Sequence, residues 1–255
     1  MPLNFKTATA AAVSATALMI ASGAMAASVS IEQIDASWQN PTGSAIDIFN
    51  YTIDNTSDPV TIFWGTPDTD AGQSGYSFGP ASVPFDADPD TAYSLGTFTH
   101  FNRPILSSGG ELSTVELNFA FGGTPDGGSL ITLGSIFGFE HDETTNTSTV
   151  AACGALQESS TPCDDIVEVG ALAGPTGEVT VGETTYIFTL LGFSPDGSDG
   201  SFSSIFVTEE GEENARDLWF SYTTETNVVP LPAAGWLLLA GVGGLAAIGR
   251  RRKSA

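Results

Sequence analysis

The sequence predicts an all-β protein: a single antiparallel β-sandwich, jelly-roll-like, with an N-terminal signal peptide before it and one C-terminal transmembrane helix after it. Three observations predict the sandwich. Short runs rich in β-branched and aromatic residues recur throughout residues 27–224, with Gly, Pro, Asn, Asp and Ser clustered between them. The 29 glycines and 14 prolines argue against helices. No segment of this body carries an apolar i, i+3, i+4, i+7 stripe longer than a turn or two. About ten short strands in roughly 200 residues suit one sandwich, since such folds run to this length as a single domain.

The elements follow in order. Residues 28–38 alternate, with Val29 and Ile31 set against Ser30 and Glu32. Residues 46–53 and 60–64 are rich in β-branched and aromatic side chains. Residues 112–121 alternate cleanly and place Val115, Leu117, Phe119 and Phe121 on one face. Further strands are read at 130–139, 166–169, 178–193, 202–208 and 218–223. Only the Thr/Asn-rich stretch 223–227 reads as a linker.

Both ends carry targeting signals. Lys6, an apolar run of small residues over 8–20 and Ala24-Met25-Ala26 make a signal peptide over residues 1–26, with Ala27 as the mature start. The alternative, a first globular helix, lacks the polar face that would make it amphipathic. The linker and sorting segment occupy residues 225–255. There Val229, Pro230, Leu231, Pro232 and Ala233 precede an uncharged run that ends at Gly249, and Arg250, Arg251, Arg252 and Lys253 close it. As a helix the run spans about 25 Å, just short of the ~30 Å hydrocarbon core. The basic cluster stops transfer and stays cytoplasmic, so the body faces outward.

This tail resembles the PEP-CTERM class of sorting signals, in its VPLPA variety. The resemblance implies recognition by an exosortase-type transpeptidase of a Gram-negative envelope and cleavage near the Pro-rich motif. It further implies release to the cell surface or extracellular matrix. Pro230 and Pro232 hold the backbone extended and keep the helix from growing upstream, which offers a protease-like site a segment to grip. A plain anchor that is never cut fits the length and flanks equally well.

In the body, Ile62-Phe-Trp-Gly-Thr-Pro67, the segment 94–105, Leu190-Leu-Gly-Phe193, Gly200-Ser-Phe202 and Phe206 resemble the choice-of-anchor K domain. That resemblance covers most of residues 27–224. It implies a secreted β-rich module and brings no activity and no catalytic residue with it.

Charge narrows the partners. Within 27–224 only Arg103 and Arg216 face the acidic side chains, and the whole chain holds 30 Asp and Glu against 7 Lys and Arg. Such a surface repels nucleic acid and anionic lipid. Adaptation to a salty medium accounts for the excess without dedicated ion sites, because screening acts within about 8 Å. Cys153 and Cys163 form the even pair expected of an exported chain, and their bond closes a short loop worth about 2.5–3 kcal/mol.

Candidate chemistry is sparse. His100, between Phe98 and Phe101, reads as a structural histidine on a strand, with general base or metal ligand as the alternative. His141, in Glu140-His-Asp-Glu143, reads as a solvated loop tip, with a carboxylate-assisted metal ligand as the alternative. No G-x-S-x-G, H-E-x-x-H or P-loop occurs, so no catalytic residue is assigned and the chain is read as a non-enzyme. Calcium is the one cofactor considered. Asp86, Asp88 and Asp90 are its first candidate ligands, with plain turn chemistry as the alternative. Trp38, Trp64, Trp219, Tyr76, Tyr93 and Tyr222 are read as core residues, with sugar stacking as the alternative.

The sequence thus describes an exported structural or adhesive protein of the surface or matrix. Its partners are signal peptidase, an exosortase-type enzyme and extracellular polysaccharide. The alternative is a calcium-assisted carbohydrate-binding module, and a glycan hydrolase stands behind both.

Overall fold

The computed structural model describes residues 28–44, 50–106, 108–125, 128–145, 149–161, 163–170, 177–197, 200–226 and 240–241. The signal peptide, the sorting motif from Val229 to Ala233 and the basic cluster from Arg250 to Lys253 lie outside the described residues. Among the described residues no helix is long and apolar enough to cross a membrane.

Among the described residues thirteen strands form two antiparallel sheets that pack face to face. In chain order they are β1 (Val29–Gly43), β2 (Tyr51–Asp54), β3 (Val60–Trp64), β4 (Ser74–Pro80), β5 (Phe85–Ala87), β6 (Tyr93–Phe101) and β7 (Leu112–Pro125). They continue as β8 (Ile131–Asp142), β9 (Asp165–Val169), β10 (Gly177–Val181), β11 (Thr184–Ser194), β12 (Ile205–Thr208) and β13 (Glu213–Thr226). One sheet runs β12-β9-β8-β7-β1-β5 and the other β10-β11-β13-β6-β4-β3-β2. The all-β expectation holds, and the architecture is that of a sandwich.

Strand boundaries shift where turn chemistry was hidden. The run 178–193 is a hairpin, β10 and β11, which turns at Gly182 with φ +63°. β4 was not expected, because Gly75, Gly79 and Pro80 dilute its pattern. Gly75 is nevertheless required there: a Cβ would stand 2.3 Å from Phe63 Cδ1 and 2.8 Å from the Ile62 carbonyl.

The alternation of β7 buries Val115, Leu117, Phe119 and Phe121 on one inner face, as read from the sequence. At the centre Trp38, 1 % exposed, meets Tyr76 and Phe98 of the opposite sheet and Phe139 of its own. Its indole N–H donates to the Val60 carbonyl at 3.2 Å. Asn55 clamps the same residue by accepting from the Trp38 backbone N–H and donating to its carbonyl. Outside the sandwich, Cys153 and Cys163 are disulfide-bonded with Cα atoms 5.5 Å apart. The loop they close is organised by the Asp164 carboxylate, which accepts from the backbone N–H groups of Glu158 and Ser159 at 2.7 Å each.

Candidate functional site

At one end of the sandwich the inward-facing positions change from apolar to polar on five strands together. Phe98 gives way to His100 on β6, and Phe139 to His141 on β8. Val167 gives way to Asp165 on β9, Phe206 to Thr208 on β12, and Phe78 to Tyr76 and Ser74 on β4. Because strand side chains alternate with period two, each polar residue continues the buried row of its own strand. The chain's two histidines, one from each sheet, therefore meet inside with ring centroids 5.1 Å apart. Trp64 walls the site, stacked on His100 at 6.0 Å and edge-on to His141 at 5.2 Å.

The hydrogen bonds assign the tautomers. Thr208 donates its hydroxyl to the Asp165 carbonyl at 3.2 Å, so its oxygen accepts from His100 Nδ1–H at 2.8 Å. His100 Nε2 then holds a lone pair facing Ser74 Oγ at 3.3 Å, while the Ser74 hydroxyl also has the Phe101 carbonyl at 3.1 Å. Tyr76 donates to His141 Nδ1 at 2.6 Å, and His141 Nε2–H donates to Glu143 Oε2 at 3.2 Å. Asp165 Oδ1 accepts the Thr144 N–H at 2.8 Å and the Thr144 hydroxyl at 3.1 Å. Its Oδ2 is buried without a hydrogen-bond partner among the described residues.

Two sets of metal-ligating side chains converge here and share Asp165. One is His100, His141 and Asp165; the other is Glu143, Asp165 and Glu210, and within each the ligand atoms lie within 4.8 Å of one another. Burial, with the nearby Glu111 charge, pushes the Glu143 carboxyl up to about 8. Burial and the Glu143 charge hold Asp165 well above the usual carboxylate range. Burial likewise pulls His100 well below the ordinary imidazole value, and it lowers His141 although Asp165, Asp142 and Glu111 oppose it. Burial also keeps the Tyr76 phenol protonated well above its ordinary range.

These shifts predict a pH dependence for the protein freed of divalent ions. From about pH 4.5 upward the unfolded chain releases carboxyl protons that the folded site keeps, so stability falls as pH rises toward 8. The neutral histidines oppose this only below about 6.5, where the unfolded imidazoles bind protons. Denaturant midpoints in chelator should drop between pH 6.5 and pH 8, and Glu143→Gln should flatten part of that slope. A midpoint that rises across this window would contradict the assignment.

The positions singled out from sequence are distributed differently. His100 is the buried strand histidine expected. His141 is a correction: it is buried at 8 % exposure and is not a solvated tip, because β8 keeps its inward row through Leu133, Phe137 and Phe139 to His141. Asp86, Asp88 and Asp90 are exposed and belong to neither converging set. In their segment the Asp88 N–H donates to Tyr93 Oη and the Asp90 N–H to the Tyr222 carbonyl, both at 2.8 Å. Trp38, Trp64, Tyr76 and Tyr222 are interior, as read, while Trp219 is half-buried. Sequence reading did not single out Asp165 or Glu210, whose types are lost among 30 acidic residues.

No protein-family model matches the chain, and no curated protein matches it. Fold and site together define an all-β sandwich with a buried histidine–carboxylate cluster at one end.

Proposed function

We propose that the chain is an exported structural or adhesive protein of the cell surface or extracellular matrix, built on a jelly-roll-like sandwich. Signal peptidase removes residues 1–26. An exosortase-type transpeptidase recognises Val229, Pro230, Leu231, Pro232 and Ala233 and separates the body from its membrane helix. The observation that carries this reading is the pairing of Cys153 with Cys163, the chain's two cysteines, in a surface loop. A bridge of that kind forms and persists in an oxidising compartment outside the cytosol. The acidic body agrees: with two arginines it suits a hydrated, cation-rich matrix better than a nucleic-acid or anionic-lipid surface. Extracellular polysaccharide is the partner class that fits such surroundings. The lectin-like alternative has less support, since Trp38, Trp64, Tyr76 and Tyr222 are enclosed and offer no stacking platform.

The tail supplies the test. With a C-terminal tag, Pro230→Ala combined with Pro232→Ala is expected to leave an uncut, membrane-held precursor. Processing at the wild-type rate would refute sorting through this motif.

A further inference from the structure

We propose that the buried cluster of His100, His141, Asp165, Glu143 and Glu210 binds a divalent cation of the first transition series. This site is distinct from the Asp86, Asp88 and Asp90 loop, and it does not depend on how the chain is exported.

Four observations carry the assignment. The first is convergence: the only two histidines of the chain, from opposite sheets, reach one point together with Asp165. A packed β core does not gather polar side chains without a partner for them, because burying them costs free energy. The second is charge. Glu143 and Asp165 draw together where, among the described residues, neither forms an ion pair with a lysine or arginine. The two arginines among the described residues are engaged elsewhere, Arg103 with Glu213 at 3.4 Å and Arg216 over the Phe206 ring. A bound cation supplies the missing positive charge.

The third observation is an acceptor aimed into the cluster with nothing to accept. Asp165 is 0 % exposed, its Oδ1 takes both bonds from Thr144, and its Oδ2 has no hydrogen-bond partner among the described residues. The same carboxylate belongs to both converging sets. The fourth is the set of groups behind the ligands. His100 Nδ1–H is held by Thr208, which is itself fixed on the Asp165 carbonyl, and this leaves Nε2 presented as a lone pair. A ligating imidazole is oriented in just this way through its other nitrogen. His141 is held through Nδ1 by Tyr76 in the opposite sense, with Nδ1 accepting. Ligation through Nε2 shifts the ring proton to Nδ1, and the Tyr76 hydroxyl turns from hydrogen-bond donor to acceptor.

Access and ion type follow from the surroundings. Glu143 and Thr144 also line a cleft of about 290 Å³ whose other walls include Asp68, Ile105 and Glu111. Its acidic mouth attracts cations toward the cluster. Paired imidazoles with carboxylates select manganese through zinc, whereas calcium takes six to eight oxygens. Bonds of about 2.1 Å place neighbouring ligands roughly 3–4 Å apart. Within each set the ligand atoms already stand within 4.8 Å of one another, so side-chain shifts of about an ångström close either set on an ion.

The full chain, stripped with chelator and desalted after exposure to Zn²⁺, Mn²⁺, Co²⁺ or Ca²⁺ separately, tests this by metal analysis and thermal melting. About one equivalent of at least one transition ion should remain bound and raise Tm. Bound Co²⁺ should show visible ligand-field bands of mixed nitrogen and oxygen coordination. His141→Gln and Asp165→Asn should each cut retention at least tenfold while the near-ultraviolet circular dichroism of the core persists. Exchanging Asp86, Asp88 and Asp90 together for Asn should leave retention unchanged. The proposal is overturned if folded wild-type protein retains none of the transition ions, if it retains calcium alone, or if binding survives both cluster substitutions.

Discussion

Trp38→Ala is expected to destabilise the sandwich by about 3–5 kcal/mol, the range for truncating a large buried aromatic. Trp38 is where the two sheets meet: it leaves β1, is 1 % exposed, and touches Tyr76 and Phe98 across the interface and Phe139 beside it. Its ring centroids lie 5.7–6.2 Å from those partners, at angles from tilted to edge-on that aromatic pairs favour. Alanine would leave a void that two hydrogen-bonded sheets cannot collapse to fill. It would also strip the Val60 carbonyl of its indole donor. Trp38→Phe separates these effects. It retains most of the volume and loses the hydrogen bond, so a smaller cost of about 1–2 kcal/mol is expected. Urea unfolding measures both, and a loss below 1 kcal/mol for the alanine variant would show that the sheets do not pack around this residue.

Gly96→Ala is the second large effect, at about 2–5 kcal/mol, combining backbone strain with an overpacking clash. Gly96 has φ +150°, and a Cβ there would stand 2.4 Å from the Gly79 carbonyl oxygen and 2.9 Å from Pro80 Cα. Both atoms are backbone of β4, which is paired on its other side to β3, so neither can swing away. The conformation has a cause in register. Between Leu218 and Trp219 the pairing of β13 with β6 slips from Gly96 to Ser94, so Leu95 is the extra residue of a bulge. Gly138→Ala is the control, since a Cβ at that exposed position meets nothing within 4 Å. It should change the unfolding midpoint by no more than about 0.5 kcal/mol. Equal effects at the two glycines would contradict the bulge geometry.

The fold class was legible because period-two burial is printed directly into strands such as β7. There Val115, Leu117, Phe119 and Phe121 are all interior. β4 was not legible, since its place at the middle of a sheet is set by close approach of Phe63 to Gly75, a fact of tertiary packing. The candidate site was half legible. His100 was read as buried because phenylalanines flank it. His141 was assigned to solvent because Glu140, Asp142 and Glu143 surround it in sequence. Extending the inward row from Leu133 through Phe139 by one more step would have placed it inside. The same extension from Val169 and Val167 reaches Asp165. No local pattern could show that these rows end at the same end of the sandwich, because that depends on the order of strands in both sheets.

The central claim is that this body is delivered outside the cytosol and separated from its tail. Intact mass and thiol titration of the wild-type protein recovered from the producing cells test it directly. The account predicts an extracellular polypeptide that begins near Ala27, ends near the motif from Val229 to Ala233 and carries no free thiol. Recovery of the complete chain from Met1 to Ala255 in the cytosol, with Cys153 and Cys163 both reduced, would contradict it.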